Sequence, residues 1–236
     1  MGTPHIAAER GAVAKTVLLP GDPKRSRYIA QNYLTDAVLF TDVRGIQGYT
    51  GLYKSTRISV MASGMGCASM GIYAHELCDF YEAENLLRVG TIGSLSERAP
   101  LRTLIMAMSA CTDTNFAAQF ALPGTPAPTA SWELLRAAAD TAGRLGIPYE
   151  VGCVLTSDYF YTDTADWNLR WRKLGILGVE METAALYLTA MRYGKRALSL
   201  LTVSDELLTG ARMTPEERET SLDAMLTAAL ELARTL

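Results

Sequence analysis

The chain repeats one unit that severely limits its fold: a short β-rich run, a stop of glycine, proline or hydroxyl residues, then a helical pattern. Thr16 to Leu19 is stopped by Pro20-Gly21-Asp22-Pro23 before a helix over 24–33. Arg57 to Met61 is stopped by Ser63-Gly64-Met65-Gly66 before a helix over about 68–81, and Asn85 to Val89 stops at Gly90-Thr91-Ile92-Gly93. Leu104 to Met108, Val151 to Leu155 and Ala197 to Val203 read as further strands, and about 131–144, 182–193 and 215–235 as further helices. The last helix has a capping box, with Thr214 at the N-cap, Pro215 in the first position and Glu217 closing the box. Strands alternating with helices predict an α/β fold: three α/β/α layers around a central mixed, largely parallel twisted sheet. The Ala-, Pro- and Thr-rich stretch 112–130 reads as a surface excursion, because strands resume after it. The 236 residues fit a single domain, 1–236, with a core large enough to stand unaided.

In such sheets ligands collect beyond the carboxyl ends of strands. One strand-like run, Gly175 to Val179, ends in Glu180-Met181-Glu182. Burial disfavours charge, so two acids there need a partner or a ligand, unless they only cap the following helix. The residues alone leave both readings open.

Other strand ends carry glycine, hydroxyl and arginine: Gly21 with Arg25, Gly64 with Gly66, and Arg88 with Thr91. Glycine lets backbone N–H groups approach an anion, a helix N-terminus adds positive potential, and arginine matches phosphate oxygens. Arg88 lies in an apolar run, where a guanidinium needs a counter-charge, and a bound anion would supply it. Arg25, in Lys24-Arg25-Ser26-Arg27, also fits a solvated helix face. No P-loop occurs, and Gly64-Met65-Gly66 lacks the third glycine of a dinucleotide fingerprint. An inorganic phosphate pocket with acids facing sugar hydroxyls follows. Asp205, at the last strand's end, suits a proton donor or a simple turn. Arg218, ill-placed against the helix dipole, would be explained by Asp205 as partner.

Several classes are excluded. A net charge of −3 and no basic run argue against nucleic acid. The cysteines Cys67, Cys78, Cys111 and Cys153 lack zinc-ligand spacing, so no metal is expected. No apolar run reaches about 18 residues and the N-terminus has no signal core, which predicts a cytoplasmic protein without a membrane partner.

The chain resembles the hexameric bacterial type of purine nucleoside phosphorylase over essentially its whole length. The matching segments are Thr3-Pro4-His5, Pro20-Gly21-Asp22-Pro23 with Arg25, Asp42-Val43-Arg44-Gly45, Gly48 with Thr50-Gly51 and Tyr53-Lys54, and Gly64-Met65-Gly66. They continue with Arg88-Val89-Gly90-Thr91 and Gly93, Ala110 to Asp113, Phe160-Tyr161, Val179 to Glu182, and Thr202 to Asp205. The resemblance implies attack of phosphate on the anomeric carbon of a purine nucleoside, with phosphate as co-substrate and no cofactor. It assigns phosphate to Gly21, Arg25, Arg88, Thr91 and a neighbour's Arg44. Glu182 would hold the 2′- and 3′-hydroxyls, with Met181 beneath the sugar and Glu180 close by. A neighbour's His5 would bind the 5′-hydroxyl, and Phe160 would stack on the base beside Val179, with Met65 and Ser204 completing the pocket. Asp205 would be the general acid at N7, helped by Arg218. The borrowed His5 and Arg44 imply a homo-oligomer, a hexamer built as a trimer of dimers.

Three departures stand out: Thr91 where serine is frequent, Glu206 after Asp205 where histidine is common, and the excursion Asn115 to Ala130, which lacks the charged, Arg-rich character usual there in the family. The rivals are a uridine phosphorylase, a hydrolytic nucleosidase and a nucleoside sensor without turnover. Asp205 and Phe160 favour a purine, the arginines favour phosphate over water, and the intact acids favour turnover. By default His5 is a mobile terminal residue, His75 is structural, Phe160 and Tyr161 fill core, and Met65 fills core or lines a pocket.

Overall fold

Val17 and Leu19 enter one apolar layer and Leu18, between them, enters the opposite one. That period of two puts helices on both faces of a sheet. A computed structural model describes residues 2–164, 166–214, 217 and 222–236. The elements run β1 (Thr16–Leu19), α1 (Pro23–Tyr33), β2 (Thr35–Val43), β3 (Ile46–Tyr53), β4 (Thr56–Met61), α2 (Gly66–Asp79), β5 (Asn85–Ser94) and β6 (Leu104–Thr112). After a 3-10 turn at Phe116–Phe120 come α3 (Trp132–Leu145), β7 (Tyr149–Thr156), α4 (Trp167–Arg172), β8 (Gly178–Glu180), α5 (Thr183–Arg192), β9 (Arg196–Glu206) and α6 (Asp223–Ala233).

One core layer joins the sheet to α2 and α5 through Met70, Tyr73, Leu77, Ala184, Leu186 and Tyr187. The other joins it to α1, α3 and α6 through Ile29, Leu134, Leu135, Met225, Leu226 and Leu230. The sheet order is β2-β3-β4-β1-β5-β8-β7-β6-β9, with β9 also paired along β5. Strands β5, β8, β7, β6 and β9 therefore close into a ring, and only β2 to β1 form an open wing. Among the described residues five of the nine pairings are parallel, so the sheet is mixed, as the pattern predicts.

Four differences from the sequence reading have physical causes. The hairpin β2–β3 has no clear periodic signal, because β2 is largely exposed. β5 does not stop at Gly90 but pairs with β9 as far as Ser94, since flanking strands satisfy its backbone. The run Gly175 to Val179 shortens to the three residues of β8, because Gly175 turns with φ +75°. The short helix α4 was not anticipated. Ahead of α6, Thr214 N–H donates to Glu217 Oε2 at 2.8 Å and Glu217 N–H to Thr214 Oγ1 at 3.1 Å, the capping-box geometry expected at the start of the 215–235 helix. Residues 215, 216 and 218–221 of that expected helix, Arg218 among them, lie outside the described residues.

Glu231 of α6 ties the open wing to the second layer. Its carboxylate accepts from Lys54 Nζ at 2.5 Å, Tyr53 Oη at 2.8 Å and Arg234 Nε at 3.1 Å. The Lys54 bond, then the Tyr53 bond, draw its pKa from 4.5 down to about 2. A lowered acid stabilises the fold above its unfolded value and loses that contribution as pH falls through the folded value. Glu231→Gln should therefore cost about 1–2 kcal/mol at pH 7. The gap in denaturation midpoint should narrow between pH 4.5 and 2. A gap unchanged across that range would refute the assignment.

Candidate active site

Arg88 lies on the β5 face directed at α2 and α5, and it is almost wholly buried. Gly90 stands two residues further on that face; a Cβ there would come within 2.9 Å of the guanidinium carbon, so only glycine leaves it room. Arg88 Nε donates to Glu180 Oε2 at 3.0 Å, and Nη2 lies 2.5 Å from Glu182 Oε2. The counter-charge that the sequence reading sought in a bound anion is thus supplied first by the chain's own two acids.

The two acids have different surroundings. Glu180, the last residue of β8, accepts from Thr156 Oγ1 at 2.5 Å, Glu182 N–H at 2.9 Å, and Thr183 N–H at 3.0 Å on each oxygen. Its carboxylate caps α5, the structural alternative weighed for it. Glu182 Oε1 accepts the Gly66 N–H at 2.6 Å, at the start of α2, where Gly66 has φ +83°. That N-terminus is thereby aimed at Glu182. Burial pushes the Glu182 carboxyl up; Arg88 pulls it down, and Glu180 adds to the rise. Burial likewise lowers the Arg88 guanidinium, but Glu182 and Glu180 more than reverse this and leave it raised. These two directions pull against each other, since one favours ionising the pair and the other does not. Two carboxylates sharing one guanidinium account for both: Arg88 stays charged, and Glu182, with fewer donors than Glu180, feels the burial.

A second arginine comes from the first turn of α1, just after β1. Burial lowers the Arg25 guanidinium, Asp22 raises it, and the nearby charge of Arg88 lowers it. Arg25 is half-buried, not the solvated helix-face residue that its neighbours suggested. The Gly21 turn packs on the Gly64 turn, with Ser63 N–H donating to Pro20 O at 2.8 Å and a Cβ on Gly21 reaching Gly64 O at 3.3 Å. Thr91 is half-exposed on β5, opposite Thr202 of β9. Met181 is half-buried between the two acids.

Strand register brings the remaining acid close. Gly93 of β5 pairs with Val179 on one side and Asp205 on the other. Asp205 therefore sits in the same cross-sheet row as Val179, one residue from Glu180. Ser204 Oγ donates to Asp205 Oδ2 at 2.7 Å, and Arg212 Nε lies 3.9 Å from Oδ1. Glu206 faces away: it accepts from Leu101 N–H at 3.0 Å and Thr209 Oγ1 at 2.8 Å, and these bonds lower its pKa. The histidine-to-glutamate departure is thus absorbed in loop structure.

Phe160, Tyr161 and Met65 are 77%, 89% and 81% exposed, which overturns any core reading of them. Phe160 meets Tyr161 edge-on at 5.0 Å. Its segment departs from the site itself, since Ser157 N–H donates to Glu180 O at 2.9 Å. Asp113 anchors that segment through Ser157 Oγ at 2.8 Å and Asp158 N–H at 3.0 Å. His75 bonds Tyr193 Oη at 2.6 Å and is structural, as read.

His5 and Arg44 gather elsewhere, around Tyr73. That residue lies two turns of α2 beyond Gly66, roughly 10 Å along the axis. The His5 ring stands edge-on to Tyr73 at 6.2 Å, and the exposed Arg44 sits near enough to pull the Tyr73 pKa back against its burial. The sequence reading missed Glu76, which holds His5, as well as Thr156 and the anchoring role of Asp113. Glu76 was detectable as an acid three residues after Tyr73 on the buried stripe of α2. Among the described residues no cluster of three or more histidine, cysteine, aspartate or glutamate side chains suits a metal ion, and no helix is long and apolar enough to cross a membrane.

The sequence profile of the phosphorylase superfamily matches residues 15–236. The chain belongs to the phosphorylase superfamily. It is 50% identical over 228 residues to a protein named purine nucleoside phosphorylase DeoD-type from Clostridium beijerinckii, covering 96% of each chain. A protein of the same name from Thermoanaerobacter pseudethanolicus is 49% identical over 231 residues, covering 97% of this chain and 98% of that one. Among solved structures, uridine phosphorylase from Vibrio fischeri aligns with a TM-score of 0.85 at 28% identity, over 99% of this chain and 95% of that one.

For this superfamily member the Arg25–Arg88 pairing makes a direct expectation. Inorganic phosphate should raise the thermal midpoint, by the equivalent of about 2.7 kcal/mol at 100 times its Kd. Arg25→Gln should abolish most of that gain while keeping the phosphate-free midpoint. An undiminished phosphate response in the variant would remove Arg25 from the anion site.

Proposed function

We propose that the chain catalyses reversible phosphorolysis of purine nucleosides, releasing free base and a pentose 1-phosphate. The observation that carries this reading is the buried Arg88–Glu182 pair beside a second, burial-lowered arginine. It sets an anion subsite against a hydroxyl-accepting carboxylate at one strand end. The full-length likeness to relatives named purine nucleoside phosphorylase supports the purine base over the pyrimidine of the more distant Vibrio fischeri protein.

In this reading phosphate is held by Arg25, Arg88, Thr91 and the Gly21 backbone, with Arg44 from a neighbouring copy. Glu182, fixed by Gly66 N–H and Arg88, uses its remaining acceptor capacity for the 2′- and 3′-hydroxyls. Met181 packs under the sugar, His5 of the neighbouring copy takes the 5′-hydroxyl, and Phe160, Val179, Met65 and Ser204 enclose the base. A phosphate oxygen forms the bond to the anomeric carbon as the carbon–N9 bond breaks. Positive charge grows on the sugar, where the phosphate anion stabilises it. Negative charge grows on the purine, where Asp205, assisted by Arg218, protonates N7. No cofactor is required. The whole chain acts as one domain in the cytoplasm, assembled as a hexamer of three dimers.

The test supplies inosine, adenosine and uridine with and without phosphate and follows free base. Purine release that depends on phosphate, with little from uridine, is expected; release from inosine without phosphate would mean hydrolysis. Asp205→Asn should lower kcat about 100-fold or more while leaving nucleoside affinity within a few-fold. Lost affinity with normal turnover of bound nucleoside would rule out the acid role.

A further inference from the structure

Glu76 is nearly as buried as the active-site acids, yet none of the chemistry above uses it. Its Oε2 accepts from Thr3 Oγ1, and its Oε1 lies 2.7 Å from His5 Nδ1. Among the described residues the only basic group within ion-pair distance is that imidazole. A buried carboxylate held by so few donors is costly, and here it is spent on one ring. The arm carrying the ring has its own anchors. Thr3 N–H donates to Ile6 O at 2.9 Å and Ile6 N–H to Thr3 Oγ1 at 3.1 Å, while Tyr81 Oη donates to Ile6 O at 2.8 Å. Ile6 itself is fully buried. The arm is therefore docked, not mobile as its terminal position suggested, and Glu76 is free to act on the ring.

We propose that Glu76 is the positioning residue for His5, fixing the imidazole tautomer and aiming Nε2 at the 5′-hydroxyl of a nucleoside in the neighbouring copy. This rests on the reading that His5 serves a neighbouring site. A carboxylate oxygen only accepts, so the proton must sit on Nδ1. In the neutral ring Nε2 then carries the lone pair and accepts from a hydroxyl. Tyr73, edge-on at 80°, limits ring rotation from the side. The His5 side chain keeps 26% of its surface exposed, enough to present one ring edge to a ligand. The recognised group is a primary hydroxyl on the sugar, so Glu76 acts on which nucleosides are favoured and leaves the bond-breaking step alone.

The experiment compares inosine with 5′-deoxyinosine at saturating phosphate, using the assembled wild type, Glu76→Ala, Glu76→Gln and His5→Ala. Glu76→Ala and His5→Ala should each lower kcat/KM for inosine about tenfold, mostly through KM, and leave 5′-deoxyinosine within about twofold. Glu76→Gln, which retains an acceptor for Nδ1, should recover most of the loss. A second readout needs no variant to fold well: 15N spectra of the ring nitrogens, in a chain with only two histidines, should show His5 protonated at Nδ1. His5 protonated at Nε2 in the wild type would overturn the proposal outright. If Glu76→Ala slows both nucleosides equally while His5→Ala discriminates between them, Glu76 is merely structural and the proposal alone fails. If His5→Ala does not discriminate either, the shared-site reading fails, and the proposal with it.

Discussion

One guanidinium and two carboxylates, Arg88 with Glu180 and Glu182, are buried together where β5, β8, α2 and α5 meet. Removing charges from water costs several kcal/mol for each ion, and mutual attraction alone seldom offsets it. The fold supplies the balance with oriented donors: the N–H groups of Glu182 and Thr183 at the start of α5, that of Gly66 at the start of α2, and the Thr156 hydroxyl. These donors come from three separate places in the chain, around residues 66, 156 and 182–183. The cluster is therefore satisfied only when both helix N-termini, the ends of β7 and β8, and β5 are in register. Missing any one leaves a buried charge short of partners, which makes this cluster the constraint on which the surrounding geometry depends.

The same cluster explains how two acids, separated only by Met181, acquire different work. Glu180 is held by three protein donors besides Arg88, one of them shared by both of its oxygens, and has little left for a ligand. Glu182 accepts from the Gly66 N–H and the far nitrogen of Arg88, and burial raises its pKa. A carboxylate so placed gains from further hydrogen-bond donors such as hydroxyl groups. Glu180 holds Arg88, and Arg88 holds Glu182.

What the sequence made legible follows from what is local. The glycine turns after β1 and β4, the arginine in an apolar run, the capping box at Thr214 and Glu217, and the acids around Met181 are all signals within a few residues, and each corresponds to a real feature, whereas Gly90 and Gly93 do not end β5. What was illegible is cooperative. Closure of β5 to β9 into a ring depends on pairings between strands more than a hundred residues apart. β2 has no hydrophobic alternation because most of it faces outward. The row that brings Val179 and Asp205 to either side of Gly93 exists only as register. Glu76 stayed hidden because its partners, Thr3 and His5, lie at the far end of the sequence.

The site also divides by rigidity. Apart from His5 and Arg44, which are assigned from a neighbouring copy, the residues assigned to phosphate and sugar sit on β5 or at strand ends and helix starts around the buried charges. Of those assigned to the base, Val179 and Ser204 lie on β8 and β9, whereas Met65 just before α2 and Phe160 in the segment after β7 are on exposed connections. The same fold at 28% identity carries the name uridine phosphorylase, so the scaffold alone does not choose a base. Changing an exposed aromatic costs little stability, whereas changing a member of the Arg88 cluster strands a buried charge. Variation in base preference is therefore least costly along the 157–164 segment, while the anion and hydroxyl half stays tied to the integrity of the fold. Asp113 is the point where the two halves join, because it fixes the start of the Phe160 segment next to Glu180.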